Sequence, residues 1–169
     1  QRKGNIFTAV QELKGYNFPE SIEYLADRAN ISIPKQEALS SLTIEAKSTR
    51  ETMLKINKAA AHYYHKNLLE LPMNHPVRQY CQMRGLTEEI ITQFTLGYAT
   101  DEWEGLRRHL TAIKAPVPLA EKLGLLRQRK TGDGSYDLFR NRLMFPIQNH
   151  KEEFVGFGGR VLSDQDQPK

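Results

Sequence analysis

Apolar positions fall at helical spacing through the first two thirds of this chain and switch to strand-like alternation near its end. Ile22, Leu25, Ala26 and Ala29 recur at i, i+3, i+4 and i+7, the stripe of an amphipathic helix. Asn17 predicts its cap, and Pro19 suits a first turn, where a missing N–H costs nothing. Upstream, Asn5 predicts the cap of a helix that runs to Lys14 and stops at Gly15. Residues 34–48 have a leading proline, polar residues and no sustained period, which predicts a linker. Ser48 and Glu51 have capping-box spacing and predict the start of a long helix to about Leu71, with Met53, Ile56, Ala60, Tyr64 and Leu68 near one face. Shorter helices are predicted from Asn74–Pro76 to Gly85, over 88–94 behind Thr87, from an Asp101 cap through Leu110, and from Pro118 to Gly124. Residues 95–99 and 125–130 read as strands.

From Arg140 the period is two. Asn141, Leu143, Phe145 and Ile147 share one parity, and Arg140, Arg142, Met144 and Pro146 the other, so the alternation puts both arginines on one face. Pro146 cannot donate to a ladder and predicts an edge or a strand end. A polar turn at 148–152 leads to a return strand at 154–162. There Gly156 and Gly158 share parity with Arg160. A strip without side chains beside a cation suits a phosphate chain, and a bulge glycine beside a solvated arginine is the plainer alternative. The fold class is α+β, a helical N-terminal half followed by a small, largely antiparallel sheet. Residues 1–33 form a helical piece too short to bury its own core, 34–48 a linker and 49–169 the main body.

Charge changes the picture only slightly. The net charge is +4 and the isoelectric point about 9.2, a mild bias toward polyanions. Residues 127–169 hold eight basic and six acidic side chains, so a cationic site there must come from placement rather than bulk charge. The single cysteine, Cys81, excludes an internal disulfide and suits a reducing compartment. No apolar run approaches the roughly 18 residues of a membrane span. His62 and His65, at i and i+3, lack a third ligand or a metalloprotease pattern, so packing explains them better than a metal. Arg84, in Met83-Arg84-Gly85-Leu86, either neutralises a helix C-terminus or aims a guanidinium at a phosphate.

Four segments carry a family resemblance: GNIFTAVQELKGYNFPESIEYLADRANI, RGLTEEIITQFTLGYA, YDLFRNRLMFPI, and VGFGGRVL ending in Gln167-Pro168-Lys169. In this order and spacing the chain resembles bacterial, DnaG-type DNA primases over nearly its whole length. The first segment resembles the end of the primase zinc-binding domain, and the others the N-terminal part of the RNA polymerase domain. The resemblance implies an enzyme of the cytoplasm that copies single-stranded DNA template into short RNA primers from NTPs, with the replicative helicase as partner through a C-terminal domain. It places the family's basic binding positions on Arg84, Arg140, Arg142, Arg160 and Lys169. It places no catalytic residue and no metal ligand in this chain. The Zn2+ ligands are expected before Gln1, and the Toprim acids that hold Mg2+ or Mn2+ after Lys169. Leu138 stands where family members often carry a basic residue, and the loop between Arg160 and Lys169 is longer and more acidic than usual. Two other readings stay open: a non-catalytic module that docks a protein or binds single-stranded nucleic acid, and part of a primase–helicase fusion.

Overall fold

The computed structural model describes residues 4–31 and 40–162, with side chains from residue 45 onward in the second stretch. The chain divides into two compact units, Gln1–Lys47 and Ser48–Lys169.

The first unit contains α1 (Ile6–Lys14) and α2 (Phe18–Ala29). The caps are those expected from sequence. The Asn5 side chain accepts from Thr8 N, and Gly15 ends α1 at φ +68°. Asn17 and Glu20 form a reciprocal capping box, so two N–H groups of the first turn find partners. Of the described residues in these two helices only Ser21 is buried. Ile6, Phe7, Ile22, Leu25, Ala26 and Ile31 line an open apolar hollow, as a piece without a core of its own requires.

The second unit is organised on the part of α3 (Ser40–Leu69) that follows Lys47. Here the structure corrects the sequence reading: Ser48 caps nothing. It lies inside the helix, and its carbonyl accepts from Thr52 Oγ1 at 2.9 Å. Polar helix-formers without a Gly or Pro stop let the helix start earlier than the capping-box spacing suggests. Then come α4 (Pro76–Met83), α5 (Glu88–Gln93), β1 (Gly97–Ala99), α6 (Gly105–Ala112), α7 (Val117–Lys122), β2 (Leu126–Gln128), β3 (Ser135–Asp137), β4 (Arg142–Gln148) and β5 (Phe154–Val161). The expected α+β class holds. One antiparallel sheet has the order β1-β4-β5, and β2-β3 form a separate ribbon.

The larger sheet packs a core against each face. Cross-strand partners share a face, so the pairings Leu143↔Arg160 and Met144↔Gly159 assign the faces from Arg142 to Ile147 on β4 and from Gly156 to Val161 on β5, up to a bulge that leaves Val155 unpaired. Met144 enters a core with Ile56, Ala60, Tyr64, Leu106, Leu110 and Leu125, against which Phe157 packs. Leu143 enters a second core with Leu68, Val77, Cys81, Ile91, Leu96 and Tyr98, against which Phe145 packs. Polar side chains fasten α3 to the strands: Asn57 Nδ2 donates to Phe154 O at 3.1 Å, Asn67 Nδ2 to Tyr98 O at 3.2 Å, and His65 Nδ1 to Leu96 O at 2.7 Å. His65 is therefore engaged by a backbone carbonyl, and His62 meets the Phe154 ring edge-on. Gly97 lets β1 lie against α3, since a Cβ there would stand 2.5 Å from Tyr64 C.

The helix after Asp101 is shorter than expected and is capped differently. It begins at Gly105, and its N-cap residue Glu104 makes no side-chain cap bond. The cap comes from a distant residue. The buried Asp137 carboxylate accepts from Leu106 N at 2.7 Å and Arg107 N at 3.0 Å. Burial nevertheless outweighs these bonds and raises the Asp137 pKa above the usual carboxylate value.

Candidate nucleic-acid interface

Arg84 is the C-cap of α4, held where Gly85 turns the chain at φ +69° toward Thr87, the cap of α5. It is exposed, and its guanidinium carbon lies 5.4 Å from the Tyr80 ring centroid. Arg160 stands exposed on β5. Far apart in sequence, the two arginines line one open groove of about 450 Å³ with Tyr80, Leu86 and Phe145. The groove lies on the sheet face of Leu143 and Phe145, the face that also carries Gly156 and Gly158. A Cβ at Gly156 would meet nothing within 4 Å, and one at Gly158 only Phe145 at 3.9 Å, so this strip is open. Neither arginine has a carboxylate partner among the described residues.

Arg140 and Arg142 do not share a strand face. Asn141, at φ +47°, is in the left-handed region and interrupts the extended chain, so β4 begins only at Arg142. The alternation that counted Arg140 as a strand position ran through this residue. Arg142 lies opposite Val161, on the face away from Arg160. Its stem and the Phe139 ring cross Gly159, where a Cβ would stand 3.2 Å from Arg142 Cδ and 3.0 Å from Phe139 Cδ1. The glycine that admits a close neighbour is thus Gly159, of the other parity. Arg140 stacks on Trp103, its guanidinium carbon 3.4 Å from the ring centroid, with Tyr136 at 5.9 Å. The hairpin therefore has no single cationic face. Lys169 lies outside the described residues. Leu138 is 41% exposed.

Nearby charges pair among themselves. Glu104 accepts from Arg107 Nη1 at 2.8 Å and Arg129 Nη2 at 2.6 Å, and Arg108 pairs with Glu102. The Arg129 hydrogen bond leads in lowering the Glu104 pKa. Arg78, buried in α4, pairs with Glu88 at the start of α5 and so clasps the two helices that flank Arg84. No group of three or more His, Cys, Asp or Glu that could hold a metal occurs among the described residues. No helix among them is long and apolar enough to cross a membrane.

Residues 63–169 match the family described as DNA primase catalytic core, N-terminal domain. The chain belongs to the DNA primase family. Its primase relatives include that of Halalkalibacterium halodurans, 36% identical over 98% of this chain and 27% of its own length. The chain thus spans about a quarter of this primase relative. Among solved primase structures, a DnaG primase catalytic domain bound to ssDNA superposes with a TM-score of 0.65 at 32% identity, covering 73% of this chain and 39% of that one. The RNA polymerase domain of Mycobacterium tuberculosis primase DnaG, in complex with a double-stranded DNA oligomer with a 6-nucleotide overhang, gives 0.64 at 34% identity, covering 70% and 36%. The match includes the four described candidate arginines, Arg84, Arg140, Arg142 and Arg160.

Two features were missed from sequence. The Trp103–Arg140 stack had no signal, because the residues are far apart in the chain. The Asp137 cap had a weak one, an acid just before the FRNR segment, but nothing in the pattern named its helix.

Proposed function

We propose that this chain is the part of a DNA primase that holds the template strand while short RNA primers are made from NTPs. In this reading Arg84 and Arg160 take phosphates of the single strand or of the incoming nucleotide in their shared groove. Arg140 and Arg142 contact phosphates elsewhere on the surface, and Lys169 extends the basic series. The observation that carries the reading is the meeting of two exposed arginines without carboxylate partners beside an open glycine strip. A guanidinium in such a place forks two N–H donors onto phosphate oxygens. A backbone-tracking site of this kind binds single strands with little sequence preference.

The residues here can orient a strand and screen its charge. Nucleotidyl transfer also needs metal ions at the attacking and leaving oxygens. We assign the Mg2+ or Mn2+ ligands, the Zn2+ ligands and the helicase contact to sequence outside these residues, and the enzyme to the cytoplasm. Residues 1–33 are proposed to end the zinc-binding domain, and 49–169 to begin the polymerase domain. Anisotropy titration of the chain with labelled single-stranded DNA tests the reading. Weak binding whose logarithm falls linearly with log salt is expected. Absence of binding at low salt, together with a stoichiometric complex with another replication protein, would favour a protein-docking module instead.

A further inference from the structure

Arg78 is a cation held inside the protein. It is 6% exposed, and its Nη2 donates to the Glu88 carboxylate at the start of α5. The same nitrogen donates to Met73 Sδ at 3.1 Å. Met73 lies in the turn between α3 and α4, which His75 N closes on Pro72 O at 2.9 Å. Nη1, the other arm of the guanidinium fork, is buried without a hydrogen-bond partner. A buried N–H left unpaired is unfavourable, and a thioether sulfur is only a weak acceptor. The fork therefore has more donors than its two neighbours satisfy. Met73 itself is 54% exposed, within reach of a small oxidant in solution. Oxidation of a methionine ordinarily harms a packed site, because it turns an apolar side chain polar. Here the added oxygen arrives beside an under-satisfied buried cation.

We propose that Met73 is a modification site: a hydroperoxide oxidises Sδ to the sulfoxide, and Arg78 takes the new oxygen as a hydrogen-bond acceptor. With hydrogen peroxide, the sulfur lone pair attacks one oxygen, the O–O bond breaks and an S–O bond forms. Sulfur loses two electrons and the peroxide gains them. The proton on the transferred oxygen passes to the departing hydroxide, which leaves as water. Methionine sulfoxide reductases reverse the change. Nη2 keeps one N–H on Glu88 and turns the other to the sulfoxide, and Nη1 supplies further donors on the same rigid plane. A charge-assisted bond to oxygen thus replaces a weak one to sulfur. Oxidation fastens the turn before α4 to that helix, and through Glu88 to α5. The site is independent of the template-binding reading, since no phosphate contact enters it.

The test uses the 169-residue chain carrying Met83→Leu, since Met83 is 79% exposed and reacts as well. The protein is treated with hydrogen peroxide, the oxidised methionines are assigned by peptide mass spectrometry, and urea midpoints are read before and after. Met73 is expected to gain one oxygen well before Met144, which is fully buried. The midpoint should shift upward as Met73 is oxidised and return after reductase treatment. Adding Met73→Leu should abolish the shift. Met73→Gln, whose carboxamide oxygen stands in for the sulfoxide without any oxidant, should have a higher midpoint than Met73→Leu. Arg78→Lys, which keeps the charge but loses the fork, should remove the shift on oxidation. If that variant does not fold, the Gln and Leu variants at the exposed Met73 carry the test. A midpoint that falls or stays put when Met73 is oxidised, a shift that survives Met73→Leu, or a Met73 that reacts no faster than Met144 would overturn the site.

Discussion

Arg142 and Arg160 point to opposite faces of the β4–β5 ladder, one register step apart. Arg84 and Arg160, by contrast, share a groove. This arrangement predicts how their substitutions combine. Arg142→Ala and Arg160→Ala should add in single-strand affinity to within about 0.5 kcal/mol, as independent sites do. Arg84→Ala and Arg160→Ala should fall short of additivity if one phosphate bridges them. Each substitution at a phosphate contact should also reduce the slope of log K against log salt by about 0.7. Anisotropy across a salt series measures both quantities, and an unchanged slope for Arg160→Ala would remove that residue from the site.

The contact of β1 with α3 depends on a missing side chain. Gly97→Ala would set a Cβ 2.5 Å from Tyr64 C and 2.8 Å from His65 N, both backbone atoms that cannot move aside cheaply. The expected loss is about 1–3 kcal/mol, as for overpacking elsewhere. Gly156→Ala meets open space and should stay within about 0.5 kcal/mol of the parent. Urea midpoints of the two variants give the comparison, and equal midpoints would contradict the close approach.

Leu143 is fully buried in the second core. Leu143→Ala is expected to cost about 2–5 kcal/mol, the range for cavity formation in a packed interior. Val155→Ala, at a 44% exposed site on the neighbouring strand, is expected to cost far less. Thermal unfolding of the two variants tests the difference in burial.

Asp137 sets a pH dependence with a defined sign. Burial raises its folded pKa above the ordinary 3.8, so across the window from 3.8 up to the folded pKa the native state holds the proton more often than the unfolded chain. Its contribution to stability is therefore fully present below 3.8 and is lost as pH rises through the folded pKa. The lowered pKa of Glu104 works in the opposite sense, favouring the fold above its unfolded value of 4.5 and losing that effect as pH falls. The stability of the parent minus that of Asp137→Asn isolates the first effect. That difference should fall with pH across the window and then level off, and a difference that rises would refute the effect of burial.

Much of this architecture was readable in the chain. The caps at Asn5, Asn17 and Thr87, the breaks at Gly15 and Gly85, and the hairpin from Leu143 to Val161 follow from local rules, and the structure contains them. The DNA primase family was legible in the RGL, FRNR and GGR segments. Local rules failed where distant chain decided the outcome. Asp101 has the chemistry of a cap, but the α6 N-terminus is taken by Asp137, delivered by the β2–β3 ribbon. The parity of Arg140 was miscounted because Asn141 reverses the backbone's handedness, and asparagine is among the few residues that do so cheaply. The pairing of Arg84 with Arg160 needed the whole sheet before it could be seen.

Pro146 sits where the sheet has a free edge. β1 reaches only as far as Met144, so the rest of β4 has β5 on one side and no partner on the other among the described residues. A proline paired with Phe157 can stand there only with its nitrogen turned to that unpartnered side. Any foreign strand that tried to extend the sheet would find a donor missing at Pro146. The same short β1 that leaves this edge uncovered is thus matched by a residue that makes the edge a poor template for aggregation.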